Sequence, residues 1–323
     1  MNQAADSRLN APSKLSARKI RLAMLFILAC TLLWALVESL GGEISGGHNA
    51  LQVVWVRYLT HIVLLVALFA PRRGTAVVAT ARPHLQIVRG SLMLVMPACF
   101  LLALRYSSVS DVLSVFWAVP LLTMVFAAWL LKERIERWHW LAGFAGWLGV
   151  LLLLRPDAGV FGIGMLPAIG MATSMSLYLV FTRQLRDEST LTNLVFTAAC
   201  VLVPLSVVMP GVWTMPSPTA LGMMAAIGVL GLGLLYALDR ATELAPVSHT
   251  APVLYIQPVW MLLIAVLAGS AHPGRANLLG SMIVITTCLA FALLSGIAVG
   301  GAGSDSQAGM MDQSGVRQMG ART

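Results

Sequence analysis

Long apolar segments alternate with short polar connectors over most of the chain. Each apolar segment is about 20 residues long, the length that an α-helix needs to cross a bilayer and about twice that of a barrel strand. None of them alternates apolar and polar residues as a barrel wall does. The pattern therefore predicts an all-α integral membrane protein with about ten transmembrane helices. The predicted spans are 22–40, 51–70, 85–104, 110–131, 138–154, 160–181, 191–209, 219–237, 249–268 and 277–296.

The composition indicates that lipid is the solvent for most of the chain. Of the 323 residues, 58% are hydrophobic and only 11% are charged, whereas a soluble domain carries about 25% charged residues. All four cysteines lie inside apolar segments and lack the paired spacing of a metal site, so we expect packing roles for them and no metal. They are Cys30, Cys99, Cys200 and Cys288.

The positive charges indicate how the chain is oriented. A net charge of +8 could suggest a nucleic-acid partner, but the basic residues lie in short connectors, where the positive-inside rule places them. With the N-terminus in the cytoplasm, 17 of the 21 Lys and Arg residues fall on the cytoplasmic side and three on the other, and Arg57 lies within a span. We therefore predict a multi-pass protein of the cell inner (plasma) membrane, with both termini cytoplasmic and no nucleic-acid partner.

The two halves of the chain resemble each other. Residues 107–131 align with 245–269 without a gap, and Pro120 then lies opposite Pro258. With five spans in each half, the halves must cross the bilayer in opposite directions. Inverted repeats are typical of secondary transporters, which bind substrate between the repeats near the midplane. The predicted organisation is a cytoplasmic basic tail (1–20), a first five-helix repeat (21–155), a second five-helix repeat (156–296) and a disordered cytoplasmic tail (297–323).

The two matched prolines each lie in the middle of a span. A proline there removes a backbone hydrogen bond and kinks the helix. The carbonyl groups that it frees are tolerated at membrane depth where they line a cavity. The equivalent places of Pro120 and Pro258 therefore favour a cavity-lining role over a simple packing kink.

Ionisable side chains inside spans are costly and are usually functional or paired. Glu38 could bind a cationic group of a substrate or carry a coupling proton, or it could form a structural ion pair with Arg57. At a rise of about 1.5 Å per residue, Glu38 and Arg57 differ in membrane depth by only about 5 Å, which allows them to pair. The functional and the structural interpretation of Glu38 therefore both stay open. Arg57 needs a fixed partner, which favours a structural role. His61 lies on the same helix face and could relay a proton, although a packing role is commoner.

Further polar residues lie at the ends and in the middle of the spans. Asp111 begins span 4 and His249 begins span 9. An unpaired amide in mid-membrane is expensive, so Gln257 is expected to line a cavity, as is Trp117. Tyr178 and Tyr255 could stack on a substrate or sit between helices. The predicted cavity residues are Glu38, Trp117, Pro120, Tyr178, Tyr255, Gln257 and Pro258. The candidates for coupling or ion pairing are Glu38, Arg57, His61, Asp111 and His249.

The chain resembles EamA-type carriers of the drug/metabolite transporter superfamily. The family's first-half signature is similar to ALRYSSVSDVLSVFWAVPLLTMVFAAWLLKERI followed by LAGFAGWLGVLLLL, its second-half signature to APVSHTAPVLYIQPVWMLLIAVLAG, and its second helix to VVWVRY. The resemblance implies ten helices in two inverted five-helix repeats around a central cavity, transport of amino acids or related metabolites, and no cofactor. One feature departs from the family: Glu133 in KERI has no acidic counterpart in SAHPGR.

The sequence thus predicts a secondary transporter that moves a small metabolite by alternating access, with proton coupling as an open possibility. The alternative is a membrane-embedded enzyme acting on a lipid-linked substrate, which would need a cluster of polar catalytic residues that the sequence does not display. A cation channel would need a selectivity filter or an acidic ring. The chain also lacks a phosphate-binding loop of the Walker type. We therefore predict that it is not an enzyme, and we leave its oligomeric state open.

Overall fold

The structure, a computed structural model, describes residues 17–44, 46–74, 78–156 and 162–295, which fold as a bundle of helices. Most of the predicted basic tail and the whole predicted C-terminal tail lie outside these residues. The α-helices are α1 (Ala17–Ile44), α2 (Ala50–Arg73), α3 (Pro83–Ala103), α4 (Val109–Phe116), α5 (Val119–Leu130), α6 (Arg137–Leu154), α7 (Leu166–Gln184), α8 (Thr190–Val212), α9 (Pro218–Leu244), α10 (Val247–Thr250), α11 (Gln257–Leu267) and α12 (Arg275–Ser295). Short 3₁₀-helices cover Ile163–Met165 and Ala251–Ile256.

Nine stretches of the described residues are long and apolar enough to cross a membrane. Helices α4 and α5 form one of them, and the segment from α10 to α11 forms another. Their outer faces carry large apolar side chains in the open, such as Leu141 (70% exposed) and Val207 (81% exposed). Such a surface suits contact with lipid rather than with water. The predicted all-α membrane fold is therefore confirmed.

The remaining predicted span, 160–181, corresponds to α7, which is not among the nine. Ten of the 19 residues of α7 are buried, including Ser174, Ser176 and Thr182. Helix α7 packs against α3, α4, α5 and α9, so much of its surface faces protein instead of lipid. Polar side chains are tolerated on such a helix because neighbouring helices supply their hydrogen-bond partners.

Spans 4 and 9 are each broken just before the matched prolines. Helix α4 ends at Phe116, and α5 starts at Val119, so Pro120 is the second residue of α5. Helix α10 gives way to the 3₁₀-helix, and Pro258 is the second residue of α11. Proline fits the first turn of a helix, where its missing N–H is not needed. Ser176 Oγ donates to the carbonyl of Val119 at 3.1 Å, which satisfies one backbone group at the first break.

The two ends of the bundle differ in charge. The basic end carries Arg82, Lys132, Arg134, Arg137, Arg183, Arg186 and Arg240. The other end is referred to below as the opposite end.

Helices of the predicted first repeat pack directly on those of the second: α1 on α9 and α11, α2 on α8 and α9, and α3 on α7 and α8. The inverted relation between the repeats, and the cytoplasmic location of the basic end, stay predictions.

Glycines at regular spacing let these helices approach closely. A Cβ atom on Gly231 of α9 would lie 2.6 Å from Arg57 Nε of α2, and one on Gly146 of α6 would lie 2.3 Å from the ring of Tyr255. Only the absence of a side chain permits such contacts between helices. Gly143, Gly146 and Gly149 of span 5 and Gly228 and Gly231 of span 8 therefore lie at close helix contacts.

We predict that Gly280→Ala destabilises the fold, whereas Gly222→Ala does not. A Cβ on Gly280 would lie 2.6 Å from both the carbonyl oxygen of Gly149 and the backbone nitrogen of Leu153, and backbone atoms cannot move aside cheaply. The expected cost is about 1–3 kcal/mol. Gly222 has open space around it, so alanine there should be neutral or stabilising by up to about 1 kcal/mol. Thermal unfolding of the detergent-purified variants measures the difference, and equal midpoints would contradict the packing of α6 on α12.

Candidate functional site

Six side chains from three spans meet at the level of the two helix breaks. They come from α1, from the end of α4, and from the segment that joins α10 to α11, so both predicted repeats contribute. The central cluster consists of Trp34, Glu38, Phe116, Trp117, Tyr255 and Gln257.

The carboxylate of Glu38 receives one hydrogen bond on each oxygen. Trp34 Nε1 donates to Oε1 at 2.7 Å, and Gln257 Nε2 donates to Oε2 at 2.8 Å. Hydrogen bonds to an ionised acceptor are stronger than neutral ones. Gln257 is 2% exposed and Glu38 is partly buried, so the bond ties an amide of the second half to a carboxylate of the first half inside the bundle.

Aromatic rings surround this carboxylate. The ring centroid of Trp34 lies 5.9 Å from that of Phe116 and 6.0 Å from that of Trp117. Trp117 in turn lies 6.4 Å from Tyr255. These separations fall in the range of favourable offset and edge-to-face contacts. Aromatic faces next to a carboxylate form a setting that attracts a cation.

The hydroxyl group of Tyr255 has no hydrogen-bond partner among the described residues. It is buried, and no donor or acceptor is in bonding geometry. Leaving such a group unpaired costs about 1–3 kcal/mol, unless another molecule completes the pairing. The ring of Tyr255 belongs to the central cluster, and its hydroxyl lies within electrostatic range of the Cys288 thiol of α12.

Arg57 and His61 of α2 face α9 instead of the central cluster. Three ion pairs lie within 4.0 Å among the described residues, and Glu38–Arg57 is not one of them, although the two charges lie within electrostatic range. Arg57 Nε has no hydrogen-bond partner. His61 is 1% exposed and packs edge-on against Tyr58 at 4.8 Å. The structure therefore does not contain the direct Glu38–Arg57 pair that the sequence left open.

Tyr178 lies in a different place from the central cluster. Its hydroxyl accepts a hydrogen bond from Arg89 Nη2 at 2.9 Å, and the same nitrogen forms an ion pair with Asp239 at 2.8 Å. Arg89 also donates through Nε to Thr182 at 2.7 Å and through Nη1 to the carbonyl of Asn193 at 3.2 Å. The side chains of Arg89 and Asp239 are 0% and 1% exposed. We refer to these five residues as the buried network.

Sequence reasoning missed Arg89 and Asp239. The charge count treats Arg89 as a cytoplasmic residue although predicted span 85–104 contains it, and the predicted end of span 8 at residue 237 leaves Asp239 outside the membrane. The structure places both residues inside helices, in α3 and α9. The sequence does contain a signal for this pair. Arg89 lies one turn into an apolar segment, where an arginine needs a carboxylate partner, and the chain has few carboxylates that could provide it.

Asp111 takes part in capping α4 at the opposite end. Its backbone nitrogen donates to Ser108 Oγ at 3.2 Å, and Ser108 Oγ donates to its carboxylate at 2.7 Å. This arrangement resembles a capping box, in which a serine and an acidic residue three positions later stabilise the first turn. The structure thus gives Asp111 a role in starting the helix.

His249 lies at the basic end, in a group of rings that the sequence did not predict. Its ring centroid lies 4.7 Å from that of His139, which lies 4.0 Å from that of Trp138. Phe291 of α12 packs on Trp138 at 4.8 Å. Among the described residues neither nitrogen of the His139 ring makes a hydrogen bond of good geometry, although the Glu136 backbone lies close to the ring. No group of His, Cys, Asp and Glu side chains in the described ranges could hold a metal ion.

Glu133, the acidic residue of the KERI segment, connects the two halves at the basic end. Its carboxylate accepts hydrogen bonds from the backbone nitrogens of Val247 at 3.3 Å and Ser248 at 3.2 Å. These nitrogens begin α10, whose own preceding residue, Pro246, provides no side-chain cap. A side chain of the first half therefore caps a helix of the second.

Comparison with known proteins identifies relatives of the chain. Residues 21–155 match the model of the EamA-like transporter family. The sequence is 24% identical over 267 residues to an S-adenosylmethionine uptake transporter of Rickettsia prowazekii, covering 80% of this chain and 90% of that protein. It is 22% identical to a riboflavin transporter of Vibrio cholerae, covering 81% and 90%, and 27% identical to an aromatic amino acid exporter of Ancylobacter novellus, covering 57% and 67%.

The fold has a counterpart among solved structures. One crystal structure superimposes with a TM-score of 0.74 at 23% sequence identity and covers 84% of this chain and 97% of its own. The resemblance that the sequence suggested is confirmed by the family match and by the names of the relatives. These names describe transporters of small metabolites, which agrees with the predicted kind of activity.

We predict that Glu133→Gln destabilises the protein by about 1–2 kcal/mol, since a hydrogen bond to a charged group contributes more than a neutral one. The loss should appear as a lower midpoint of thermal unfolding. Glu136→Gln is the matched control, because that carboxylate is exposed and bonds only locally, to Trp138 Nε1. If both variants unfold at the same temperature as the unmodified protein, Glu133 does not hold α10.

Proposed function

We propose that this chain, an EamA-type transporter, is a secondary carrier that moves a small, amino-acid-related metabolite across the membrane by alternating access, with the central cluster as its binding site. The observation that carries the proposal is the Glu38 carboxylate, which is held by hydrogen bonds from Trp34 and Gln257 and lies among aromatic rings. The broken spans next to it support the proposal, because transporters form midplane sites from discontinuous helices.

The chemistry of the central cluster favours a cationic solute with a flat ring. A carboxylate provides the counter-charge for a cation, and the faces of Trp34 and Trp117 add cation–π attraction and stacking surface. S-adenosylmethionine has a sulfonium and an ammonium group, as well as an adenine ring. It is also the solute in the name of several relatives. S-adenosylmethionine is therefore the first candidate substrate.

The Glu38–Gln257 hydrogen bond provides a way for substrate to change the conformation. A ligand shifts a conformational equilibrium only through contacts that differ between the two states. A cation that binds Glu38 competes with the amide of Gln257, and so it weakens a link between α1 of the first half and α11 of the second. Binding and the relative position of the halves are coupled through this one carboxylate. The proposed driving ion is the proton.

The direct test is uptake into proteoliposomes that contain the purified protein. Radiolabelled S-adenosylmethionine, riboflavin and tryptophan are supplied separately, and initial rates are measured against concentration. A carrier gives saturable uptake of one compound and counterflow when the vesicles are preloaded with it. Flux that rises linearly with concentration would indicate a channel, and chemical conversion of the compound would indicate an enzyme.

We predict that Glu38→Gln weakens binding of S-adenosylmethionine by about tenfold or more, because about 1.4 kcal/mol of lost interaction with the cation corresponds to a factor of ten. The measurement is the ligand-induced rise of the unfolding temperature, which follows the affinity for the folded state. Glu43→Gln is the matched control, since Glu43 is an exposed carboxylate of the same helix. Equal stabilisation of both variants by the ligand would exclude Glu38 from the site.

We also predict that Tyr255→Phe leaves the unfolding temperature unchanged or raises it, because the buried hydroxyl that it removes has no partner in the protein. If that hydroxyl bonds the solute, the variant should bind S-adenosylmethionine more weakly by a factor of about five, the usual net effect of one hydrogen bond. Binding titrations with the unmodified protein and the variant measure this difference. Unchanged affinity would show that the solute does not use the hydroxyl.

A further inference from the structure

We propose that Asp239 is the proton-coupling carboxyl group of this carrier, and that proton binding to Asp239 releases Arg89 and allows the two halves to separate at the basic end. The proposal rests on the proposed transport function. It concerns the buried network, which lies apart from the residues that would bind the solute.

The buried network joins the two predicted halves. Arg89 extends from α3 of the first half, whereas Tyr178 and Thr182 belong to α7, Asn193 to α8 and Asp239 to α9 of the second. All of its polar contacts to Arg89 are 2.7–3.2 Å long. A movement of the first half away from the second at this level must therefore break the contacts of one arginine side chain.

The two oxygens of the Asp239 carboxylate are held unequally. Oδ1 accepts from Arg89 Nη2 at 2.8 Å, while Oδ2 is buried and has no partner of good hydrogen-bond geometry among the described residues, and the Asn193 side chain lies close enough to stabilise the charge. A native protein seldom leaves a buried charged atom without a well-placed partner, and a functional role is one explanation for such an atom. Oδ2 is the oxygen on which a proton can be added without first displacing Arg89.

Protonation of this carboxyl changes the energy of the closed state. In a medium of low dielectric, the carboxylate and the guanidinium stabilise each other strongly. A neutral Asp239 leaves the guanidinium of Arg89 buried without a counter-charge, which is much less favourable. Arg89 then gains by moving toward water at the nearby basic end. The pair therefore has two arrangements. In one, Asp239 is ionised and the basic end is closed; in the other, Asp239 is protonated and the basic end is open. Proton coupling requires two such states.

The proton balance is simple. One proton adds to Asp239 Oδ2 and forms an O–H bond, while Arg89 stays protonated throughout, because its guanidinium does not titrate in proteins. When the halves close again, the approach of the Arg89 cation favours the ionised carboxyl, and the proton leaves to the side that is then accessible. Each cycle therefore carries one proton.

The other titratable groups around the pair are less suited to this task. Those that lie within electrostatic range of Asp239 or Arg89 are Cys30 of α1, Tyr58 of α2, Tyr178 of α7, Cys200 of α8 and Glu243 of α9. The thiols and the phenols are neutral near pH 7 in their ordinary range. Glu243 is paired with Arg240 near the surface. Among the described residues, Asp239 is thus the carboxyl that is both buried in this network and incompletely paired.

The test uses full-length protein in proteoliposomes that contain the pH-sensitive dye pyranine. Uptake of radiolabelled S-adenosylmethionine, or of riboflavin or tryptophan if one of these is the transported compound, is measured with a pH gradient of either sign. Counterflow without a gradient is measured in parallel. For the unmodified protein we expect substrate-dependent proton movement and gradient-driven accumulation. For Asp239→Asn we expect accumulation to fall about tenfold or more, within the usual range of a coupling free energy, while counterflow stays close to that of the unmodified protein.

Two further variants make the result specific. Asp187→Asn is the matched control, because Asp187 is an exposed carboxylate (79% exposed) near the basic end and pairs only with the adjacent Arg186; it should behave as the unmodified protein does. Asp239→Glu keeps a titratable group and should retain gradient-driven accumulation with a shifted pH dependence.

Several outcomes would overturn the proposal. It is wrong if Asp239→Asn still accumulates substrate under a pH gradient, or if the unmodified protein transports substrate without moving protons. If Asp239→Asn does not fold, Asp239→Glu decides: a shifted pH dependence supports the proposal and an unchanged one overturns it. Transport without protons leaves the proposed carrier function intact, whereas the absence of any saturable flux overturns that function and this proposal with it.

Discussion

The hydrocarbon of a bilayer offers no hydrogen-bond partner, so each polar group at membrane depth must find one within the protein. This constraint explains the arrangement of the polar side chains in this chain. Where α4 breaks off before Pro120, Ser176 reaches a backbone carbonyl of the next segment. Where Glu38 carries a carboxylate into the bundle, Trp34 and Gln257 each provide a donor. In the part of the chain that the structure describes, the buried groups left without a partner, such as the Tyr255 hydroxyl, are the places where another molecule can complete the pairing.

The sequence predicted the fold well because the apolar segments report directly on membrane spans. It also selected Glu38, Trp117, Tyr255 and Gln257, since polar and aromatic residues in mid-span are rare enough to stand out. It could not assign Tyr178 to the buried network, because the position of a residue along a helix does not reveal which neighbouring helix it faces. Arg89 and Asp239 were missed for a related reason. The rule that places basic residues in connectors hides an arginine that enters the membrane near the end of a span.

The two ends of the bundle use different devices at equivalent places in the predicted repeat. At the basic end, Glu133 of the first half caps α10 of the second half across the interface. At the opposite end, α4 is capped by Ser108 from its own segment, and the second half has no acidic residue at the place that corresponds to Glu133. In the proposed transport cycle, a cap that crosses the interface must break when the halves separate, but a local cap need not. The contacts at the two ends are therefore of different kinds.

The polar character of α7 has a consequence for how the protein is made. A segment enters the membrane readily during synthesis when it is apolar enough by itself, and Ser174, Ser176, Thr182 and Arg183 count against α7. The partners of these groups include Arg89, which donates to Thr182 from a helix synthesised earlier, and the carbonyl of Thr242, which accepts from Arg183 in a helix synthesised later. Helix α7 thus needs the segments that were inserted before it in order to enter the bilayer. The pairing of its polar side chains is complete only after the later segments have been inserted. We therefore expect contacts between the two halves to form before synthesis of the second half is finished.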